Sequence, residues 1–130
     1  MTKLQHSLIK FDSKASGKAI MLGLEYLKVR LNWSNTKITN TLHIPINTIN
    51  TWFKNGTIPL SKSLLQSDIQ AVLHLLAIHR SLEAMFAEPL HEQAWLSTQH
   101  PELNAVPEKL MAESIEKLIF TRQYLDKCCV

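Results

Sequence analysis

Apolar residues recur along the chain at the spacing of helices. Between residues 16 and 31 they fall at intervals of three and four, and similar spacing returns over residues 63–87 and 114–127. Such intervals place the apolar side chains on one side of an α-helix. No stretch alternates apolar and polar residues as a half-buried strand would. We therefore predict an all-α protein with six or seven helices.

Two short predicted helices meet at a tight turn within residues 34–56. Ser34 is placed to cap a helix over residues 35–42, and Gly56 is placed to end the second helix. Helix-turn-helix motifs usually have glycine at the position of His43, because the backbone there has a positive φ, which histidine tolerates at moderate cost. The inner sides of the two helices predict four core residues: Ile38, Leu42, Ile49 and Trp52.

The outer side of the second helix carries residue types that read DNA. Four residues lie opposite the apolar positions, and none of them is acidic: Asn47, Asn50, Thr51 and Lys54. Asparagine pairs with adenine, threonine contacts base edges or the thymine methyl, and lysine binds phosphate or guanine. The pattern predicts a recognition helix in the major groove, with further DNA contacts from Ser34, Lys37 and Ile46. The alternative is a plain helical hairpin with a solvated polar face.

Charge is distributed unevenly along the chain. Residues 1–62 contain nine basic and two acidic residues, a balance of +7, whereas residues 63–130 have a balance of −4. A basic N-terminal half is the electrostatic footprint expected of a protein that binds phosphate. The acidic C-terminal half is expected to avoid DNA and to face something else. Chance asymmetry on a solvated surface is the alternative.

The longest predicted helix begins after a cap at Ser61 or Ser63 and runs to about Ala87. Its apolar arc is wider than one packing face requires. Such a helix is either buried at the centre of a monomer or shared with a second copy of the chain. Since a two-fold pair of helix-turn-helix motifs reads two half-sites, the DNA interpretation favours a homodimer.

Aromatic, leucine and proline motifs follow the long helix at defined intervals. The first is Phe86, and a Trp-Leu pair follows within residues 93–96. A Pro-x-Leu loop comes next at residues 101–103, and a Pro-x-x-Leu helix start at residues 107–110. With these motifs, residues 69–124 resemble the toxin-binding domain of the Xre/MbcA/ParS antitoxin family. Glycines that are common in the family are replaced by Asn104 and near Ser114. Independently of the family, the neighbouring apolar residues predict that Trp95 and Leu96 lie in the core. The alternative for Trp95 is direct contact with a partner protein.

The resemblance implies an antitoxin of a type II toxin-antitoxin system. Such a protein represses its own operon and neutralises a partner toxin, which in this family is typically a RES-domain protein that degrades NAD⁺. The implied organisation is a flexible basic arm (1–15), a helix-turn-helix DNA-binding domain (16–60) and a small helical toxin-binding and dimerisation domain (61–130). The C-terminal end approaches the toxin's active site in this family, and the candidate toxin contacts are Arg122, Tyr124 and Lys127.

Two alternatives to the antitoxin remain. The first is a stand-alone dimeric transcriptional regulator with the same fold and no toxin partner. The second is a helical adaptor whose helix-turn-helix-like hairpin no longer binds DNA. In either case Arg122 and Lys127 would belong to an ordinary solvated helix terminus, where cations complement the helix dipole.

Membrane insertion and secretion find no support in the sequence. Residues 1–11 lack the continuous apolar segment of a signal peptide, and the longest apolar patch, residues 71–78, is too short to span a bilayer. Cys128 and Cys129 are adjacent, and no histidine stands at metal-ligand spacing to them. We expect free thiols in a reducing prokaryotic cytoplasm and no bound metal.

Catalysis also finds little support. The three glycines are scattered and form no phosphate-binding loop. Glu83, Glu88 and Glu92 do not share one helical face, and nothing pairs a nucleophile with a base. We therefore expect a protein that is not an enzyme and uses no cofactor.

Overall fold

The computed structural model describes residues 13–60 and 66–128, and the regular secondary structure in these ranges is entirely α-helical. The seven helices are α1 (Ser13–Leu31), α2 (Asn35–Leu42), α3 (Ile46–Asn55), α4 (Ser67–Met85), α5 (Pro89–Ser97), α6 (Pro107–Glu113) and α7 (Ile115–Cys128). The predicted all-α class is therefore confirmed. None of these helices is long and apolar enough to cross a membrane.

The helix ends follow the local signals in the sequence. The Ser34 hydroxyl accepts a hydrogen bond of 3.1 Å from the backbone N–H of Lys37, which caps α2 as predicted. Pro89 and Pro107 are the first residues of α5 and α6, where the missing N–H of proline costs no helical hydrogen bond. The start predicted for α4 is wrong: the helix begins at Ser67, with Gln66 at its N-cap, and not after Ser61 or Ser63, which lie outside the described residues.

Four residues in the described part of the chain have a left-handed backbone, and Asn32, after α1, is one of them with φ 57°. His43, between α2 and α3, has φ 60° and its N–H donates to the Thr39 carbonyl over 2.8 Å, as the helix-turn-helix pattern predicts. Gly56 ends α3 with φ 70°. Asn104 has φ 53°, so asparagine adopts a conformation that is easiest for glycine, which the antitoxin family commonly has there.

The core is continuous across the predicted boundary near residue 60. Buried apolar residues of α1, α2 and α3 join those of α4, α5, α6 and α7 in one cluster. Helix α4 lies at its centre and packs against α1, α2, α5 and α7, which accounts for its wide apolar arc. Five predicted core residues are at most 5% exposed: Ile38, Leu42, Ile49, Trp52 and Leu96.

Trp95 differs from the prediction that it anchors the core. Its side chain is half-buried and packs against the core from the outside, whereas Leu96 is 1% exposed. Consecutive residues on a helix point about 100° apart. Leu96 points into the interior, so its neighbour Trp95 points towards the edge of the core. The Trp95 ring instead lies against the His100 imidazole, with centroids 4.8 Å apart.

A buried polar cluster joins α1, α4 and α5. Glu92 is fully buried and accepts hydrogen bonds from Arg30 and from His79, whose Nε2 lies 2.9 Å from Glu92 Oε1. Glu83 lies 3.9 Å from Arg30 Nε and accepts a hydrogen bond from the Tyr26 hydroxyl. Glu83 is on α4 and Glu92 is on α5, so the two do not share a helical face, as predicted. The turn before α5 nevertheless brings both carboxylates to Arg30.

Gly17 permits the segment after α3 to cross α1 closely. A Cβ at this position would lie 2.2 Å from the Ile58 carbonyl oxygen. The Ile58 N–H also donates to the Gly17 carbonyl over 3.4 Å. The exit from α3 is therefore fixed on α1, and this contact helps to hold α3 in place.

Candidate nucleic-acid interface

Helix α3 turns its polar side outward. The side chains of Ile49 and Trp52 are buried, and the four predicted base-reading and phosphate-binding residues are all exposed: Asn47, Asn50, Thr51 and Lys54. Neither α2 nor α3 contains an acidic residue. The surface therefore presents amides, hydroxyls and a cation on a firmly packed helix, as recognition of DNA requires.

Asn50 is held by a chain of hydrogen bonds from two other helices. Lys28 Nζ on α1 donates to Asn35 Oδ1 over 2.6 Å, and Asn35 Nδ2 on α2 donates to Asn50 Oδ1 over 2.8 Å. Lys28 also lies 4.6 Å from the centroid of the Phe53 ring. With its Oδ1 engaged, Asn50 has its Nδ2 group left to donate to a base or phosphate. Nothing in the sequence spacing indicated Lys28 or Asn35 as part of this site.

The C-terminal half of α3 borders a depression. Thr51 Oγ1 donates to the Asn47 carbonyl over 2.8 Å, which leaves the hydroxyl lone pairs and the methyl for a ligand. The depression has a volume of about 420 Å³ and is lined by Asn47, Thr48, Thr51, Trp52, Asn55, Thr57 and Pro59. Thr48, Asn55 and Thr57 extend the polar surface beyond the predicted residues; the amphipathic pattern of α3 could have indicated Asn55.

The other predicted DNA contacts have different surroundings. Ser34 is exposed but uses its hydroxyl oxygen to cap α2. Lys37 Nζ lies 3.0 Å from Glu108 Oε2 on α6 and 5.7 Å from the centroid of the Trp33 ring. Ile46, in the first turn of α3, is 38% exposed. Lys37 therefore already has an intramolecular partner, whereas Ile46 is accessible.

The candidate toxin contacts on α7 are partly engaged within the chain. Arg122 Nη1 lies 3.1 Å from His74 Nδ1, and Arg122 Nε lies 3.5 Å from Asp126. Burial and the neighbouring Arg122 guanidinium lower the pKa of His74. The Tyr124 hydroxyl donates to Glu102 Oε2 over 2.7 Å, and this hydrogen bond raises the pKa of Tyr124. Lys127 is exposed in the last turn.

Metal ligands do not gather in the described part of the chain. No group of three histidine, cysteine, aspartate or glutamate side chains there could hold a metal ion. Cys128 is a free, exposed thiol, and Cys129 lies outside the described residues.

Comparison of the sequence with known proteins finds no matching protein-family model and no matching curated protein. The resemblance to the antitoxin family thus depends on the motif residues named above. The function of the chain is inferred from those residues and from the surface of α3.

Proposed function

We propose that this protein is an antitoxin that binds operator DNA through α2 and α3 and neutralises a cognate toxin through its C-terminal helices. By binding its operator, it represses its own operon. The observation that supports the proposal most strongly is the exposed, acid-free polar side of α3, set on a buried apolar side. The protein acts as a homodimer in a prokaryotic cytoplasm, without a cofactor and without catalysis.

In this proposal the residues of α3 divide into base-reading and backbone-binding groups. Asn47, Asn50 and Thr51 contact base edges, and the hydrogen bond from Asn35 orients the Asn50 amide before DNA arrives. Lys54 contacts phosphate and contributes affinity for any sequence. Positioning by phosphate contacts and selection by base contacts together give sequence-specific binding.

The toxin-binding part of the proposal is supported by the motif resemblance and by the acidic C-terminal half. The suspected partner is a RES-type toxin that degrades NAD⁺. Lys127 is the exposed candidate for contact with it, since Arg122 and Tyr124 have intramolecular partners. Those internal contacts favour the second candidate function, a stand-alone dimeric transcriptional regulator with the same DNA-binding surface.

Replacing both outward asparagines tests the DNA-binding part. We expect Asn47→Ala combined with Asn50→Ala to lose preference for the chain's own promoter while weak binding remains, because phosphate contacts survive. Lys54→Ala should weaken binding to all sequences and flatten the salt dependence by about one unit of slope. Fluorescence anisotropy with promoter and scrambled duplexes measures both effects. Gln123→Ala, exposed on α7, is the control, and equal promoter affinity of wild type and the asparagine double variant would contradict the assignment.

Co-expression with the product of the adjacent gene tests the toxin-binding part. We expect a stable complex on purification and relief of toxicity in cells. Lys127→Glu should weaken the complex, whereas Asn40→Ala, an exposed control on α2, should not. If the neighbouring product is harmless and does not co-purify, the stand-alone regulator replaces the antitoxin.

A further inference from the structure

Helix α1 has apolar residues on its outward side as well as on its buried side. Leu24 and Leu27 are fully buried against the core. Leu22, Tyr26 and Val29 are 65%, 49% and 81% exposed. Their spacing of four and three residues places them on one side of the helix, where they form a continuous ridge. An apolar ridge of this kind on a protein surface marks an interaction site.

A groove runs beside this ridge, between α1 and α4. Its volume is about 390 Å³, and its apolar wall includes Ala19 and Gly23 of α1 and Leu73 and Leu76 of α4. Because Gly23 has no side chain, Leu76 lies 3.4 Å from the place where a Cβ would be. Tyr26 of the ridge also lines the groove, so ridge and groove adjoin and form one face of the protein.

Charged residues of both signs accompany this face. Glu25 is on α1, three residues from Leu22 and four from Val29, and Arg80 and Glu83 of α4 line the groove. Glu83 pairs with Arg30 and accepts a hydrogen bond from Tyr26, whereas Glu25 and Arg80 form no ion pair within residues 13–60 and 66–128. A surface with a ridge, a groove, an acid and a base can complement a copy of itself.

We propose that this face, the α1–α4 face, is the homodimer interface. Leu22 and Val29 of each copy pack into the groove of the other about a two-fold axis, and Glu25 lies opposite Arg80 of the partner subunit. This interface rests on the proposed function, because reading two DNA half-sites requires two recognition helices. Its residues, however, are not those proposed to contact DNA. No outward residue of α3 belongs to it, so both recognition helices stay free for DNA.

Sedimentation equilibrium of the full chain without DNA tests the interface. We expect a wild-type dimer at micromolar concentration and a monomer for Leu22→Glu combined with Val29→Glu, because charges on the ridge would be buried in the dimer. Leu90→Glu is the control, since Leu90 is 72% exposed on α5 and does not line the groove. Circular dichroism checks that each variant remains helical.

Charge reversal distinguishes a second copy from any other occupant. Glu25→Arg and Arg80→Glu should each raise the dimer Kd on the order of tenfold, because each places like charges opposite one another. The double reversal should restore the wild-type Kd. Neither residues 1–12 folding over the ridge nor binding of an unrelated protein would give this restoration.

Three results would contradict the proposed interface. They are a wild type that is monomeric at about 100 µM, a dimer that survives the ridge substitutions, and a double charge reversal that does not restore the wild-type dimer Kd. The DNA-binding proposal fails separately. A wild-type dimer that does not bind its promoter leaves the interface intact, whereas a monomeric wild type that binds a single half-site leaves the recognition helix intact.

Discussion

Two threonines of α2 differ in what their hydroxyls bind. Thr41 is buried and donates to the Lys37 carbonyl over 2.9 Å. The Thr39 Oγ1 atom is also buried, but it has no hydrogen-bond partner in the described chain. Thr39 stands where helix-turn-helix motifs usually have a smaller residue, because the two helices pack closely there. An unsatisfied buried hydroxyl costs about 1–3 kcal/mol.

Replacing each threonine by the isosteric valine tests this difference. We expect Thr39→Val to raise the free energy of unfolding by about 1 kcal/mol, since an unsatisfied polar group is removed. Thr41→Val should lower it by a similar amount, since a hydrogen bond is lost. Urea denaturation measures both, and changes of the same sign in the two variants would contradict the assignment.

Residues that carry their own local signal could be predicted from the sequence. Ser34 caps α2 and Gly56 ends α3 because side-chain oxygens and glycine satisfy helix ends locally. The outward direction of Asn47 and Lys54 follows from helical periodicity alone. The half-buried state of Trp95 could not be predicted, because it depends on how α5 is rotated against α4 and α6. The Lys37–Glu108 pair could not be predicted either, because the two residues are far apart in sequence and no local pattern links them.

At the scale of helices, the sequence predicts the approximate position of each helix along the chain. It does not predict the side-chain contacts that hold the helices together. The bounds of α2 follow from a cap and a turn, and the starts of α5 and α6 from prolines. The cluster around Glu92 depends on residues 62 and 13 positions away, Arg30 and His79. Their separation along the chain gives no periodic signal, so only the packing of α1, α4 and α5 reveals the cluster.

Glu92→Ala tests how much this cluster contributes to stability. The substitution leaves Arg30 and His79 without their shared carboxylate in a mostly buried site. We expect the free energy of unfolding to fall by about 3–5 kcal/mol, the usual cost of removing one partner of a buried ion pair. Glu88→Ala, an exposed acid next to the same helix, is the control. A decrease in the free energy of unfolding of less than about 1 kcal/mol, measured by chemical denaturation, would show that the cluster does not stabilise the packing of these helices.

At the scale of the whole molecule, the helix-turn-helix and the C-terminal helices share one core and further polar contacts. His43 Nε2, in the turn between α2 and α3, lies 3.0 Å from the Met111 carbonyl of α6. The Lys37–Glu108 pair links the same two helices, α2 and α6. The proposed DNA-binding surface is therefore packed directly on the half whose motifs resemble those of the antitoxin family.

Binding of the wild-type chain to its own promoter, measured by fluorescence anisotropy over a series of salt concentrations, tests the DNA-binding proposal most directly. We expect the promoter duplex to bind at least on the order of a thousandfold more tightly than a scrambled duplex of the same length. Both affinities should fall steeply as salt rises, because lysines displace counterions from phosphate. Equal affinity for the two duplexes, or no binding at about 50 mM salt, would contradict the proposal that α3 reads DNA.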